Sequence, residues 1–190
     1  MGLSDAKKYI SELRKKQNDP YCWPDYLTGL PGKSAILKQI DKVYPKLGRW
    51  GIAYIRVSNI YPFLMKYGYE NHAELIEWAA AILKTSTDRV KDSFIGTLDT
   101  HDYILIARPG DIDRVLEDAS KLFAKKTRAF YSPEDRNEGV VLSFQMEGRD
   151  VCVGLMDFIH SSVREKTSVP KAELLAYLAG LCSRLESKAI

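Results

Sequence analysis

The run GIAYIRV at residues 51–57 constrains the fold more than any other feature of this sequence. It is an uninterrupted stretch rich in β-branched and aromatic residues, which favour extended backbone. Its length and composition predict a buried strand rather than a helix. A buried strand needs neighbouring strands in its sheet and other elements to cover the sheet, so the rest of the chain must supply both.

Helical and hairpin patterns surround this strand. A turn at Leu30-Pro31-Gly32 precedes a helical pattern that extends to about Val43, and two helical patterns follow the strand, at residues 59–67 and 71–84. Apolar runs at residues 93–98 and 103–107 then flank a polar tetrad, residues 99–102, and this arrangement is typical of a β-hairpin.

The second half of the chain repeats this alternation. The patterns predict a helix at 111–130, a loop at 132–139, two strands at 140–146 and 150–159 joined by a tight turn, and a closing helix at 170–186. This order of elements predicts an α/β fold, an α+β sandwich in which a mostly antiparallel central sheet is flanked by helices.

Composition sets the expected class of protein. The chain has 190 residues, 45% of them hydrophobic, which suits one globular domain. The net charge of +3 arises from 28 basic and 25 acidic residues that are interleaved, which gives no reason to expect a nucleic-acid or membrane partner. No apolar run approaches the roughly 20 residues that span a bilayer, and the charged N-terminal end does not resemble a signal peptide. We therefore expect a cytoplasmic protein.

The N-terminal segment and the cysteines give weaker evidence about domain organisation and metal binding. Residues 4–17 predict a short amphipathic helix, so we divide the chain into an N-terminal helix and linker at 1–21 and a domain at 22–190. Cys22, Cys152 and Cys182 are far apart and odd in number, which suits neither a disulfide framework nor a zinc site. We expect them to be reduced and mostly buried.

The segment DYLTGLPGKSAI (25–36) resembles the opening motif of GGDEF domains, the family of diguanylate cyclases. The resemblance continues over about residues 22–188. Tyr67-Gly68-Tyr69 stands where the family usually has Tyr-Gly-His or Tyr-Gly-Phe, and the hairpin at 94–106 stands where the family has its Gly-Gly-Asp-Glu-Phe turn. The segments at 129–141 and 173–188 are also similar to the family. It implies a nucleotidyl-cyclase-like fold and, in an active member, the Mg²⁺-dependent joining of two GTP molecules into cyclic-di-GMP.

The positions that this chemistry needs are replaced. The metal-binding Asp-x-Asp at the end of the first strand aligns with Arg56 and Ser58, and a guanidinium cannot bind a cation. The guanine-reading Asn and Asp align with Leu64 and Ala73, whose side chains cannot form hydrogen bonds. A phosphate-binding lysine of the last helix aligns with Cys182 or Glu186, depending on the register.

The turn itself is also changed. It carries Asp99, Thr100, His101, Asp102 and Tyr103 where the family has Gly-Gly-Asp-Glu-Phe. Side chains at the two glycine positions, one of them anionic, obstruct the approach of a phosphate to the backbone. We therefore expect a degenerate GGDEF domain that is not an enzyme and has no catalytic residue, metal site or cofactor.

Arg89 and Asp92 form an Arg-x-x-Asp pattern like the inhibitory site at which many GGDEF domains bind cyclic-di-GMP. The pattern lies one residue further from the turn than in the family, and it recurs at Arg108 and Asp111. Two alternatives stay open: a cyclic-di-GMP site, or an exposed charged loop.

Two further groups of residues are open to a structural or a functional interpretation. His101 beside Asp102 resembles an acid–base or metal pair, but His72 and His160 are distant in sequence, so we expect a solvent-facing hairpin tip. An aromatic cluster in the sequence consists of Tyr61, Phe63, Tyr67 and Tyr69. We expect these side chains to be in the core or half-buried rather than to form a docking surface.

Three functions follow from these observations. The first is an inactive signalling module of bacterial signal transduction that acts by protein–protein contact, with a sensor or regulator domain as partner and a possible homodimer. The second is a cyclic-di-GMP receptor that uses Arg89 and Asp92. The third is a binder of a different nucleotide or small anion in the altered pocket of Arg56, His101 and Asp102.

Overall fold

The computed structural model describes residues 25–188 apart from Tyr26 and Glu147. The proposed helix at 4–17, the linker to residue 21 and Cys22 lie outside the described residues. The helices and strands have the following bounds: α1 Lys33–Val43, β1 Gly51–Val57, α2 Ile60–Tyr67, α3 His72–Thr87, β2 Phe94–Thr97, β3 Asp102–Ala107, α4 Pro109–Thr127, α5 Pro133–Glu138, β4 Val140–Met146, β5 Arg149–Gly154, β6 Phe158–Val163 and α6 Leu174–Lys188.

β1 lies in the interior of a four-stranded antiparallel sheet with the order β2-β3-β1-β6. Alternate residues of β1 point to opposite faces of this sheet. Ala53, Ile55 and Val57 belong to a core that α2, α3 and α4 cover, whereas Ile52 and Tyr54 belong to a second core that α1 and α6 cover. The predicted antiparallel sheet flanked by helices is therefore confirmed.

β4 and β5 form a separate two-stranded sheet, and this corrects the prediction of a single strand at 150–159. The chain leaves β5 after Gly154, and β6 begins at Phe158 and pairs with β1. The backbone N–H of Ser58 donates to the Asp157 carbonyl at 2.8 Å, which joins the connection between β5 and β6 to the end of β1. The sequence shows no break because apolar residues continue through the connection.

The predicted loop at 132–139 contains the short helix α5. The Ser132 side chain accepts a hydrogen bond from the backbone N–H of Asp135 at 3.2 Å, and Pro133 occupies the first helical position. Serine followed by proline is a favourable helix start, so local chemistry contained this information. Apolar periodicity missed it because the helix is too short to show a repeat.

Candidate functional site

The opening motif forms a tight turn that Asp25 stabilises. The Asp25 carboxylate accepts hydrogen bonds from the backbone N–H groups of Leu27 and Thr28 at 3.1 and 2.8 Å and from the Thr28 hydroxyl at 2.9 Å. Gly29 follows with a φ of +66°, a conformation that glycine adopts without strain. This turn determines where α1 begins.

The turn then lies against the edge strand β2. The backbone N–H of Thr97 donates to the Pro31 carbonyl at 2.9 Å. A Cβ atom added to Gly96 would lie 2.7 Å from Cγ1 of Ile36 and 2.8 Å from the Pro31 carbonyl oxygen. Only glycine allows this close approach, which brings the opening motif and the hairpin to one site.

A cleft of about 600 Å³ separates the opening motif, the start of α3 and the β2–β3 turn, residues 98–101. Its polar lining includes carboxylates from both the motif and the turn, together with one lysine at the start of α1. The lining residues are Asp25, Leu27, Thr28, Gly32, Lys33, His72, Ala73, Ile76, Thr97, Leu98, Asp99 and Thr100.

Arg56 forms a bidentate ion pair with Asp102 beside this cleft. The register of β1 with β3 places the two residues directly opposite each other. The guanidinium donates from Nε to Oδ1 at 2.8 Å and from one terminal nitrogen to Oδ2 at 3.2 Å. The hydrogen bond with Asp102 is the main cause that raises the pKa of Arg56 above its ordinary value. The positive charge on β1 is thus neutralised within the protein.

α6 contributes further partners to Arg56. The guanidinium of Arg56 donates to Oγ of Ser183 at 3.0 Å and lies 3.7 Å from a carboxylate oxygen of Glu186. Cys182 is fully buried beneath the sheet, so the helix register brings Glu186, and not Cys182, to the site. A small pocket of about 220 Å³ at this point is lined by Arg56, Val57, Ile60, Tyr61, Asp99, His101, Asp102 and Glu186.

The β2–β3 turn is closed by its own side chains. The Asp99 carboxylate accepts from the backbone N–H of Thr100 at 2.7 Å and from its hydroxyl at 3.2 Å. The Thr97 hydroxyl donates to the Asp99 carbonyl at 2.8 Å. Thr100 therefore offers its N–H to Asp99 and not to the cleft.

His101 is half-buried and paired, which corrects the expectation of a solvent-facing tip without a second histidine. Its Nε2 lies 2.9 Å from Nε2 of His72, the first residue of α3. Burial, and then the neighbouring His72, lower the pKa of His101 below its ordinary value. The two histidines are 29 positions apart, so the sequence did not reveal this contact.

The other aligned positions face different surroundings. Ser58 is buried and its hydroxyl donates to the Asp157 carbonyl at 3.0 Å. Leu64 is buried in the core, whereas Ala73 lines the cleft with a methyl group. Tyr103 is fully buried, and among the described residues its hydroxyl has no hydrogen-bond partner. Burial raises the pKa of Tyr103 above its ordinary value.

Arg89 and Asp92 lie at the far end of α3, before β2. Asp92 has a φ of +62° and its carboxylate is 3.9 Å from the guanidinium of Arg108. The structure therefore adds Arg108 to this charged group. In the sequence, Arg108 stands out only as part of a second Arg-x-x-Asp pattern with Asp111.

Two expectations about packing are partly wrong. Phe63 is buried and Tyr67 half-buried, as expected, but Tyr61 and Tyr69 are 64% and 70% exposed. Cys152 is exposed, while Cys182 is buried as expected. Within the described part of the chain, no helix is long and apolar enough to cross a membrane. Nor do the described residues hold a group of three or more side chains that could bind a metal ion.

Comparisons with known proteins reveal the fold. No family model matches the sequence, and no curated protein matches it. Among solved structures, the diguanylate cyclase SiaD of Pseudomonas aeruginosa, in complex with its activator SiaC, superposes with a TM-score of 0.63 at 11% identity, covering 98% of this chain and 66% of SiaD. The GGDEF domain of FimX from the same organism gives 0.58 at 12% identity, covering 87% of this chain and 94% of that domain.

The chain has the fold of a GGDEF domain. A third match, Vibrio cholerae LapD bound to cyclic-di-GMP, gives a TM-score of 0.60 at 16% identity and covers 98% of this chain and 38% of LapD. In this GGDEF-like fold, the turn between β2 and β3 holds Asp99 to His101, and β3 begins with Asp102 and Tyr103. The five residues from Asp99 to Tyr103 therefore lie at the β2–β3 turn and the start of β3.

Proposed function

We propose that this chain is a catalytically inactive GGDEF-like domain that acts in bacterial signalling through protein–protein contact. The ion pair between Arg56 and Asp102 supports this proposal most directly. Both carboxylate oxygens of Asp102 accept hydrogen bonds from the guanidinium, so the charge that would attract Mg²⁺ is already compensated by Arg56. The resemblance to GGDEF domains aligns Arg56 with a metal-binding aspartate, and a guanidinium at that position would repel a metal cation.

The cleft adds a second line of support. Ala73 and the buried Leu64 offer no hydrogen-bonding group to a guanine base. Asp25 and Asp99 bring two carboxylates to the lining, against one amine from Lys33. Because a triphosphate is strongly anionic, this charge balance opposes its binding.

The activity test is direct. The purified protein is incubated with GTP and Mg²⁺, and the product is separated by ion-pair chromatography, with an active diguanylate cyclase as positive control. We expect no cyclic-di-GMP above the protein-free blank. Calorimetry with GTP and Mg²⁺ should show no binding, and micromolar affinity would contradict the proposal.

The partner is proposed to be a protein because α2 and the residues that directly follow it expose apolar side chains. Tyr61 and Tyr69 are largely in solvent, and Met65 is 78% exposed. Tyrosine and methionine are enriched in protein interfaces. SiaD, a structural neighbour, is described in complex with its activator SiaC, so a chain with this fold can bind a protein.

A matched pair of variants tests this surface. Met65→Glu places a charge in the exposed apolar group, whereas Lys121→Glu changes the charge of an exposed residue on α4. If α2 binds a partner, a protein cross-linked to the wild type in cells should be lost with Met65→Glu and kept with Lys121→Glu. An identical cross-linking pattern for both variants would remove α2 from the proposal.

A second candidate function, a cyclic-di-GMP receptor, is supported by the approach of Arg108 to Asp92. Arg89 and Arg108 would supply two guanidinium groups for phosphate and guanine. Calorimetry with cyclic-di-GMP tests it: Arg89→Ala and Arg108→Ala should each abolish binding, while Arg128→Ala should not. Unchanged affinity in the first two variants would remove these residues from the site.

A third candidate, an anion site in the pocket of Arg56, His101 and Asp102, is opposed by its charges. Asp99, Asp102 and Glu186 line the same pocket, so carboxylates outnumber the single guanidinium. A thermal-shift screen with phosphate and common nucleotides should therefore show no stabilisation.

A further inference from the structure

The contact between His72 and His101 has a geometry that identifies its chemistry. The two Nε2 atoms are 2.9 Å apart, an ordinary hydrogen-bond length. The ring centroids are 5.2 Å apart. The distance between the centroids exceeds the distance between the two Nε2 atoms by about twice the distance from the centre of an imidazole ring to one of its nitrogens. Both Nε2 atoms therefore lie nearly on the line that joins the two ring centres. The two rings therefore point directly at each other.

This arrangement is a hydrogen bond and not a metal site. A metal between the nitrogens would need each of them at about 2.0 Å, hence a separation of about 4 Å along this line. A separation of 2.9 Å leaves no room for the ion. One Nε2–H therefore donates to the lone pair of the other Nε2.

Such a bond depends on the number of protons that the pair carries. A neutral imidazole has one N–H donor and one acceptor nitrogen, whereas an imidazolium has two donors and no acceptor. The pair can therefore be neutral or carry one positive charge. When both rings are protonated, two N–H groups face each other and the bond is lost.

The bond joins two elements that border the same cleft. His101 belongs to the β2–β3 turn, and His72 begins α3 and lines the cleft with Asp99 and Thr100. Among the described residues, this is the only hydrogen bond between side chains that links the turn to α3. Each ring also has an aromatic neighbour, Tyr61 at 5.5 Å from His101 and Tyr69 at 6.4 Å from His72.

We propose that the His72–His101 hydrogen bond is a proton-controlled latch, which holds the β2–β3 turn against α3 near neutral pH and releases it when both rings are protonated. Release lets the turn separate from α3 and widens the cleft. The latch thus makes access to the cleft depend on pH, whichever ligand or partner the cleft receives.

The surrounding charges determine the direction of the effect. Asp99 and Asp102 on the hairpin and Glu186 on α6 favour protonation, whereas Arg56 on β1 opposes it. His72 lines the cleft with Asp25, Lys33 and Asp99, and Glu74 follows it in the first turn of α3. Once one ring is protonated, its positive charge opposes protonation of the other ring, because the ring centroids are only 5.2 Å apart.

The chain carries only three histidines, so NMR titration can follow each one separately. In the wild type, we expect the resonances of His72 and His101 to titrate in two coupled steps. His160, on β6, should titrate in one step. In His72→Ala the pKa of His101 should rise, because the charge of His72, which lowers it, is removed.

Hydrogen exchange measures the release itself. Between pH 7 and pH 5, after correction for intrinsic rates, protection of residues 98–102 should fall by about fivefold in the wild type, the factor that corresponds to the loss of one hydrogen bond of about 1 kcal/mol. In His72→Ala, which has no side chain to replace the hydrogen bond, these residues should be poorly protected at both pH values, and His160→Gln should behave as the wild type. Independent titration of His72 and His101, or unchanged protection of the turn at pH 5, would overturn the latch.

Discussion

Arg56 and Asp102 face each other across the β1–β3 ladder, and the guanidinium of the first donates to both carboxylate oxygens of the second. Their side chains are only 21% and 17% exposed. Asp102→Asn removes the charge that balances Arg56 and weakens two charge-assisted hydrogen bonds. We expect the free energy of unfolding to fall by about 1–2 kcal/mol, measured by urea denaturation.

Arg56→Lys is the control for geometry. Lysine retains the positive charge but cannot donate through a planar fork, so it should recover only part of the stability lost in Arg56→Ala. If Arg56→Lys and Arg56→Ala are equally destabilised, charge alone contributes nothing. Wild-type stability in Asp102→Asn would show that the pair does not stabilise the fold.

The buried hydroxyl of Tyr103 is a source of instability. It is fully buried and has no hydrogen-bond partner among the described residues. Tyr103→Phe removes an unsatisfied polar group without opening a cavity, so the protein should become more stable by about 1 kcal/mol. Thermal unfolding followed by circular dichroism measures the change.

Tyr131 provides the matched control because it is also buried but its hydroxyl accepts a hydrogen bond from the Met156 backbone N–H at 2.8 Å. Tyr131→Phe leaves that N–H unpaired and should cost about 1–2 kcal/mol. Opposite signs are expected for the two variants. Equal destabilisation of both would mean that Tyr103 finds a partner in solution.

Gly96 should not tolerate a side chain. An added Cβ would lie 2.8 Å from the Pro31 carbonyl oxygen, which is backbone and cannot rotate away. Gly96→Ala should therefore reduce stability by about 1–3 kcal/mol. Gly110→Ala is the comparison, since nothing lies within 4 Å of its added Cβ and the residue is in the first turn of α4. It should be neutral or slightly stabilising.

The carboxylate of Asp135 should contribute a pH-dependent part of the stability. Lys66 donates to it at 2.7 Å and Tyr67 also donates, and these two contacts hold the pKa of Asp135 below its ordinary value of 3.8. Because the folded state binds this proton more weakly than the unfolded state, the stabilisation is present above about pH 4. It disappears as the pH falls through the folded pKa.

Asp135→Asn tests this directly when urea unfolding is measured across pH. The variant should be less stable than the wild type at pH 7, and the difference should shrink below pH 4. Asp150→Asn, at an exposed position of β5, should leave the profile unchanged. A difference that is constant from pH 7 to pH 3 would show that the charge of Asp135 is not involved.

Local patterns were sufficient for most of the architecture. The composition of residues 51–57 identified β1, and a polar tetrad between two apolar runs located the β2–β3 turn. These properties depend on side chains a few residues apart, which a sequence displays directly. The division between β5 and β6 was missed because the boundary depends on where Phe158 finds a partner in β1, and the composition of the segment does not encode that pairing.

The sequence by itself determined the type of fold and the residue types at the candidate site, because composition, periodicity and turn chemistry are local. Only the tertiary structure decided which of those residues meet. It paired Arg56 with Asp102, brought Glu186 rather than Cys182 to the same guanidinium, and joined His72 to His101. Each contact spans at least 29 residues, and its distance depends on strand register and helix packing that no short segment specifies.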